Sequence, residues 1–256
     1  NGRRSRSRRN SRFSAAELKQ VEKLLKEKLS PEQISGYLKA LGSLRISHET
    51  IYKHVWRDHK NHGQLWTHLR CSPKQKRKRY GTYEKRGRLA GKKMITDRPP
   101  SVETRKDFGH WEMDTVMGDH GSHHCILTLV ERKSGYTLIG KLADRTKEVV
   151  TSRAIRLIQA HPKWFKTITA DNGTEFHDYP KIEAATGVSI YFAHPYHSWE
   201  RGTNENTNGL IRQYLPKRHS MAHVTQHRCN AIALALNIRP RKRHAFQSPA
   251  EVARDQ

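Results

Sequence analysis

Three runs decide the fold: Trp111-Glu-Met-Asp-Thr-Val-Met117, Cys125-Ile-Leu-Thr-Leu-Val-Glu-Arg132 and Tyr136-Thr-Leu-Ile-Gly-Lys-Leu142. Each is short and rich in aliphatic, β-branched or aromatic residues. Turn chemistry separates them, at Gly118–His123 and Lys133-Ser-Gly135, so they predict an antiparallel meander. Downstream the period changes. A helix is expected over Thr146–Ala160, with Val149, Ala154, Leu157 and Ile158 inward, then a strand over Lys166–Ala170. A helix over Tyr179–Thr186 ends at Gly187, and a strand over Val188–Phe192 follows. Helices over Thr203–Tyr214 and His223–Leu236 close the pattern. Three antiparallel strands followed by alternating helix and strand describe a ribonuclease-H-like α/β fold.

Three acids are placed on these elements in a telling way. Asp114 lies inside the first strand, where a charge is costly unless something pairs with it. Glu112 shares its strand face, so this site is expected to be like-charged and to want a metal ion. Asp171 ends the fourth strand, and ligands gather beyond the carboxyl ends of strands in open α/β sheets. Its Asp-Asn-Gly setting is also an ordinary turn signal. Glu205 opens a helix. At about 100° per residue, Asn208, Gly209 and Arg212 fall within about 60° of it, while Leu210, Ile211 and Tyr214 lie opposite. One face is therefore Glu-Asn-Gly-Arg and the other is core. Such carboxylates can hold two divalent ions, Mg²⁺ with Mn²⁺ as a substitute, for in-line displacement at phosphate. Glu175, Glu200, Asp119 and Glu131 are the competing carboxylates. Glu200 replaces Glu205 if the Ser198-Trp-Glu-Arg-Gly202 loop folds inward.

The charge says what this acid set faces. The 256 residues carry a formal net charge of +25, concentrated at the front: residues 1–100 hold 27 Lys+Arg against 8 Asp+Glu. Such a field favours polyanions, and neutralising phosphates releases counterions. Residues 1–13 form a basic arm. Three helix starts follow, each with a serine cap: Ser14 with Glu17, Ser30 with Gln33 and Pro31, and Ser47. Leu29–Ile34 and Ile46–Ile51 are expected hydrophobic staples. Helices near 14–28, 30–40 and 47–57, with Gly42 in the last connection, resemble a helix-turn-helix unit occupying 14–70. Its recognition element, Ser47–Trp56, would offer His48, Thr50 and Lys53 to base edges. The stretch 71–107, with Lys76, Arg77, Lys78 and Arg79, lacks periodicity and is expected to be a phosphate-tracking linker to a catalytic domain at 108–256.

Other classes are excluded or weakened. No apolar run approaches the ~18 residues of a membrane span, and three widely spaced cysteines suit a reducing cytoplasm better than a disulfide framework. Near His59, His62, His68 and Cys71 the spacing matches no standard zinc finger. No Walker loop, dinucleotide turn, H-E-x-x-H or nucleophile elbow is present.

Gly109-His-Trp-Glu-Met-Asp-Thr115, Thr128-Leu-Val-Glu-Arg-Lys-Ser-Gly-Tyr136, Asp171-Asn-Gly-Thr-Glu-Phe176 and above all Arg201-Gly-Thr-Asn-Glu-Asn-Thr-Asn-Gly-Leu-Ile-Arg-Gln-Tyr214 carry a resemblance. Over about residues 14–253 the chain resembles bacterial insertion-sequence transposases of the IS30 family. The resemblance implies a D–D–E catalytic domain of retroviral-integrase type, with the triad on Asp114, Asp171 and Glu205 as catalytic and metal-binding residues, and Arg212 as the basic residue after the glutamate. It implies double-stranded DNA partners, both element ends and target, two Mg²⁺ ions, cleavage followed by 3′-hydroxyl strand transfer, and a homo-oligomer, a dimer on paired ends. A bacterial, nucleoid-associated protein without membrane contact is expected, and a further helix-turn-helix ahead of position 1. Met113 departs from the small residue common beside the first aspartate. Asn172, Tyr196 and Trp199 join the DNA-contact candidates, with Tyr196 and Trp199 either stacking on unpaired bases or packing under their loop. The competing expectation is a helix-turn-helix regulator with a vestigial nuclease domain. A structure-specific nuclease that never joins ends is the third.

Overall fold

The computed structural model describes residues 13–70, 91–119, 121–195 and 197–256. The chain divides into two compact units, one spanning Asn1–Arg77 with Pro240–Gln247, the other Lys78–Arg239 with Ser248–Gln256.

In the first unit, α1 (Ala15–Lys26), α2 (Pro31–Ala40) and α3 (His48–Lys60) start where the serine caps predict. Ser14 and Ser30 each accept from the backbone N–H three residues on. Glu17 and Gln33 reach back, completing two capping boxes. Ser47 caps α3 through Thr50 without a box, because Thr50 has no side chain long enough to return the bond. Burial of Val21, Leu25, Ile34, Leu38, Ile51 and Val55 makes one core from all three helices. Gly42 turns the chain between α2 and α3 with φ +67°, a left-handed conformation that suits glycine.

The segment Pro240–Gln247 belongs to this unit. Gln33 Nε2 donates to the Pro240 carbonyl at 2.8 Å, and Lys242 pairs with Glu32 at 2.6 Å. Gly36 leaves its place to the Phe246 ring: a Cβ there would lie 2.0 Å from Phe246 Cζ. A mid-helix glycine ordinarily costs about 1 kcal/mol against alanine, so packing against Phe246 explains its presence.

The second unit is built on a five-stranded sheet in the order β3-β2-β1-β4-β5. Its strands are β1 (His110–Met117), β2 (Cys125–Glu131), β3 (Thr137–Leu142), β4 (Thr167–Ala170) and β5 (Ser189–Phe192). β1–β2 and β2–β3 pair antiparallel, the expected meander, and β4 and β5 add in parallel. The result is a mixed α/β sheet of five strands. Alternation sorts the faces. Trp111, Met113, Leu127, Leu129, Ile168 and Ile190 turn to α5 (Lys147–Gln159) and α6 (Tyr179–Thr186), after a one-turn helix α4 (Ser101–Thr104) upstream. Val116, Ile126 and Ile139 turn to α7 (Gly202–Ile211) and α8 (Gln226–Asn237).

Two helix boundaries of this unit and the buried face of one helix differ from expectation. α7 stops at Ile211 because Arg212 is its C-cap, and α8 starts at Gln226 because Thr225, not His223, supplies the capping oxygen. In α5 the fully buried positions are Val150, Thr151, Ala154 and Ile158, with Val149 and Leu157 half-buried. A last helix, α9 (Pro249–Arg254), opens on a Ser248–Glu251 capping box that the sequence pattern alone did not single out.

Gly36 offers a test with a sign. Gly36→Ala should destabilise the protein, whereas in a Phe246→Ala background the same change should stabilise it by about 1 kcal/mol. Thermal melts of the double-mutant cycle decide it. Stabilisation in both backgrounds would mean that Phe246 does not pack there.

Candidate active site

β1 and β4 run parallel with His110 opposite Thr167 and Glu112 opposite Thr169. Carried two residues further, the same register sets Asp114, inside β1, against Asp171, just past the carboxyl end of β4, on one face. Arg201, just before α7, reaches both. Its Nη1 lies 3.5 Å from Asp114 Oδ1 and its Nη2 3.4 Å from Asp171 Oδ2. Those distances make a loose ion pair rather than a tight fork. Nε and Nη1 of Arg201 are buried without a hydrogen-bond partner among the described residues. The guanidinium is therefore a weakly held counter-charge in a place that demands a cation.

The aspartates are oriented from all sides. Asp114 accepts from the Thr115 N–H at 2.9 Å and from Asn208 Nδ2, on α7, at 2.8 Å. Asp171 accepts from the Gly173 N–H at 3.0 Å, an Asx turn. Burial, with the Asp171 charge beside it, pushes the Asp114 carboxyl up to about 6, against the pull of Arg201, Thr115 and Asn208. Hard oxygen donors, a desolvated carboxylate and a lone, poorly bonded counter-cation are the chemistry that a divalent ion satisfies. The residues fit such an ion. Glu205 stands exposed in the first turn of α7, three residues before Asn208.

Glu112 corrects an expectation. It is fully buried on the same strand face as Asp114, yet it adds no charge to the acid pair, because Arg132 Nη1 donates to it at 3.1 Å. Its other oxygen accepts the Asn204 N–H at 2.7 Å, capping the free amides at the start of α7. Arg132 continues to Glu103 at 3.1 Å, and Glu103 pairs with Arg98, which donates to Thr169 on β4 at 2.7 Å. Burial, with Arg132 nearby, brings Arg98 down to about 10, so it remains charged. This chain of charges, buried at Arg98, Arg132 and Glu112 and reaching the surface at Glu103, ties β1, β4 and the head of α7 together.

Three of the other competing carboxylates are likewise committed; Asp119 is not, its Oδ1 being buried without a hydrogen-bond partner among the described residues. Glu131 accepts from the N–H and hydroxyl of Ser134, both at 2.6 Å, and fixes the β2–β3 turn. Glu175 accepts from Thr115 Oγ1 at 2.8 Å and pairs with Arg145. Glu200 does not replace Glu205: His194 and His197 hold it at 2.9 and 3.2 Å.

Several residues expected to touch DNA have partners within the fold. Arg212 donates to the Met117 carbonyl at 2.7 Å and the Leu215 carbonyl at 3.4 Å, tying the end of α7 to β1. Those two bonds use two of its five N–H donors and leave the others for a phosphate. Asn172 accepts from Lys92 and donates to the Ala193 carbonyl at 2.6 Å. Trp199 is 68% exposed and stacks on His197, so it does not pack under its loop. His48 and Lys53 are exposed on α3, and Thr50 is half-buried beside Ser47. Lys76, Arg77, Lys78, Arg79, Tyr196 and Cys71 lie outside the described residues. Sequence reasoning missed Arg201 altogether, although an arginine ahead of an acid-bearing helix was a usable signal.

Residues 104–198 match the integrase core domain family. That stretch includes Asp114 and Asp171 and ends before Glu205. Over 233 residues the chain is 40% identical to the transposase for insertion sequence element IS4351 of Bacteroides fragilis, covering 91% of this chain and 71% of that protein. It is 40% identical over 247 residues to transposase InsI for insertion sequence element IS30A of Escherichia coli K12, covering 91% and 64%. The chain thus spans about two thirds of the length of these curated relatives. Among solved structures, the catalytic core domain of BIV integrase is similar with a TM-score of 0.45 at 19% identity, over 58% of this chain and 95% of that one.

Two stability effects arise from the geometry. A carboxyl raised from 3.8 to about 6 on folding keeps a proton that the unfolded chain releases. Stability should fall as pH rises through that window, by at most about 3 kcal/mol. Asp114→Asn should therefore raise the melting temperature of the metal-free protein above pH 6 by several degrees, and abolish any gain from added Mg²⁺. An unchanged or lower melting temperature would contradict the strained carboxylate. Glu112→Gln should lower stability by roughly 3 kcal/mol, the cost of breaking a buried ion pair. A neutral effect in denaturant titration would mean that the cap and pair hold nothing.

Proposed function

Since the chain belongs to the IS30 family of insertion-sequence transposases, we propose that it binds the terminal inverted repeats of such an element, cleaves a strand, and transfers the freed 3′-hydroxyl to another phosphodiester. The observation that carries this reading is the parallel β1–β4 register, which sets Asp114 against Asp171 around one weakly bonded arginine. Asp114 and Asp171, with Glu205 from α7, would hold two Mg²⁺ ions, or Mn²⁺ in their place. Bound there, the ions supply a nucleophile at neutral pH and Lewis acidity at the scissile phosphate. Asn208 keeps the Asp114 carboxylate turned toward the cleft. Arg201 balances the two aspartates until metal and DNA arrive, and is then placed to meet phosphate oxygens. Glu112 sets the start of α7, and so the reach of Glu205, without touching the reacting groups.

The DNA partner is supported by charge and by shape. The basic front of the chain provides a sequence-independent hold on phosphate. α3 presents exposed His48 and Lys53, with Thr50 at its first turn, as a recognition helix would. Lys76, Arg77, Lys78 and Arg79 belong to the same basic footprint, with Asn172, Tyr196, Trp199 and Arg212 as further contacts. Assembly on paired ends as a homodimer completes the reading. No helix among the described residues is long and apolar enough to cross a membrane.

Asp114→Asn, Asp171→Asn and Glu205→Gln should each lower Mg²⁺-dependent cleavage and strand transfer of element-end DNA by at least about 10³-fold, with end binding intact. Gel assays with pre-cleaved and uncleaved ends separate the two steps. Full activity in any variant would remove that residue from the site. End binding by the wild type without any Mg²⁺-dependent cleavage would indicate a regulator, and cleavage without joining a nuclease.

A further inference from the structure

The segment between β5 and α7 carries a second group of metal-ligating side chains, chemically unlike the aspartate cleft. His194, His197 and Glu200 bring one ligand atom each within 4.8 Å of one another. The arrangement is directed. Nδ1 of His194 and Nδ1 of His197 converge on the same oxygen of Glu200, Oε1, at 2.9 and 3.2 Å. The other oxygen of Glu200 accepts the backbone N–H of His194 at 2.8 Å, which fixes the carboxylate plane. The His197 ring is held by stacking on Trp199, centroid to centroid 4.4 Å.

We propose that His194, His197 and Glu200 form a site for a borderline transition ion of the Zn²⁺ class. Zinc takes nitrogen and carboxylate oxygen at about 2.0–2.2 Å, which in a tetrahedron puts neighbouring ligand atoms about 3.4 Å apart. The two His–Glu separations are already within about half an ångström of that edge. Little movement converts a hydrogen-bonded cluster into three ligands of a four-coordinate ion, with water in the fourth place. Imidazole nitrogen selects Zn²⁺ over Mg²⁺, whereas the carboxylates of the cleft have the opposite preference. Coordination through Nδ1 leaves each Nε2–H free to donate.

The consequence falls on the next residues of the chain. Glu200 is adjacent to Arg201, the counter-charge of Asp114 and Asp171, and two residues before α7 begins. An ion chelated by 194, 197 and 200 would clamp the segment that delivers Arg201 and Glu205. The site acts as a loop clamp. It takes no part in phosphate chemistry.

The test is direct binding to the whole chain, stripped with chelator and titrated with Zn²⁺ by calorimetry, and with Co²⁺ read by its visible spectrum. Wild type should take up one equivalent with tetrahedral Co²⁺ absorption that excess Mg²⁺ does not displace. His194→Ala/His197→Ala should lose that equivalent. Glu200→Gln should weaken it by about 10–100-fold, at least the cost of an outer-shell partner. Asp114→Asn/Asp171→Asn should retain it, which separates this site from the acid cleft whatever becomes of the transposase reading. Circular dichroism checks folding, and the single His197→Asn variant, at a half-exposed position, serves if the double variant does not fold. Equal Zn²⁺ uptake by wild type and the histidine variants would overturn the proposal, as would wild type without the tetrahedral Co²⁺ spectrum.

Discussion

Two carboxylates held side by side in a half-buried cleft repel each other, and the catalytic unit is arranged around that repulsion. The parallel pairing of β1 with β4 forces Asp114 and Asp171 together. Burial lifts the Asp114 carboxyl to about 6, and Arg201 supplies the nearest positive charge. Neither response removes the strain: the arginine sits 3.4–3.5 Å away and leaves two of its nitrogens unbonded. A site kept short of its best electrostatic state in this way retains affinity for a cation. Strain stored at a functional site is sustained by rigid surroundings.

The surroundings here are a charge relay, buried except at Glu103. Arg98, Glu103, Arg132 and Glu112 run from β4 to the head of α7. Such a network is a poor source of stability, because desolvating each ion offsets most of the attraction. Its value is geometric. Glu112 accepts a helix-terminal N–H, so the position of α7 is set from the strand that also carries Asp114. Arg212 then fastens the other end of the helix to the Met117 carbonyl, at the end of β1. One strand thus fixes an acid and both ends of the helix that bears Glu205.

Much of this was legible in the residues, and the failures have physical causes. Strand periodicity and turn chemistry located all five strands within a residue or two, because both faces of this sheet are covered by apolar helices. Serine caps located α1 to α3. The same Ser-x-x-Glu signal at Ser248 went unread because no long apolar run comes after it. Glu112 was misjudged because alternation tells which face a side chain takes but not which cation lies across the sheet. Arg132 is twenty residues away in sequence, and its pairing with Glu112 depends on the β1–β2 register. Helical angle and the resemblance point Arg212 at phosphate, but its carbonyl bonds depend on where α7 ends, which neither shows. The pairing of the two aspartates is legible from their places on elements, whereas Arg201 needed the fold.

On the proposed reading, Asp114 and Asp171 hold the divalent ion that Arg201 stands in for. Anomalous scattering from a complex of this chain with Mn²⁺ and element-end DNA measures it most directly. The account predicts manganese bound between the two aspartate carboxylates, Glu205 turned toward it, and the Arg201 guanidinium moved off them toward phosphate. Arg201 still bridging the aspartates at saturating Mn²⁺, with no anomalous peak in the cleft, would contradict it.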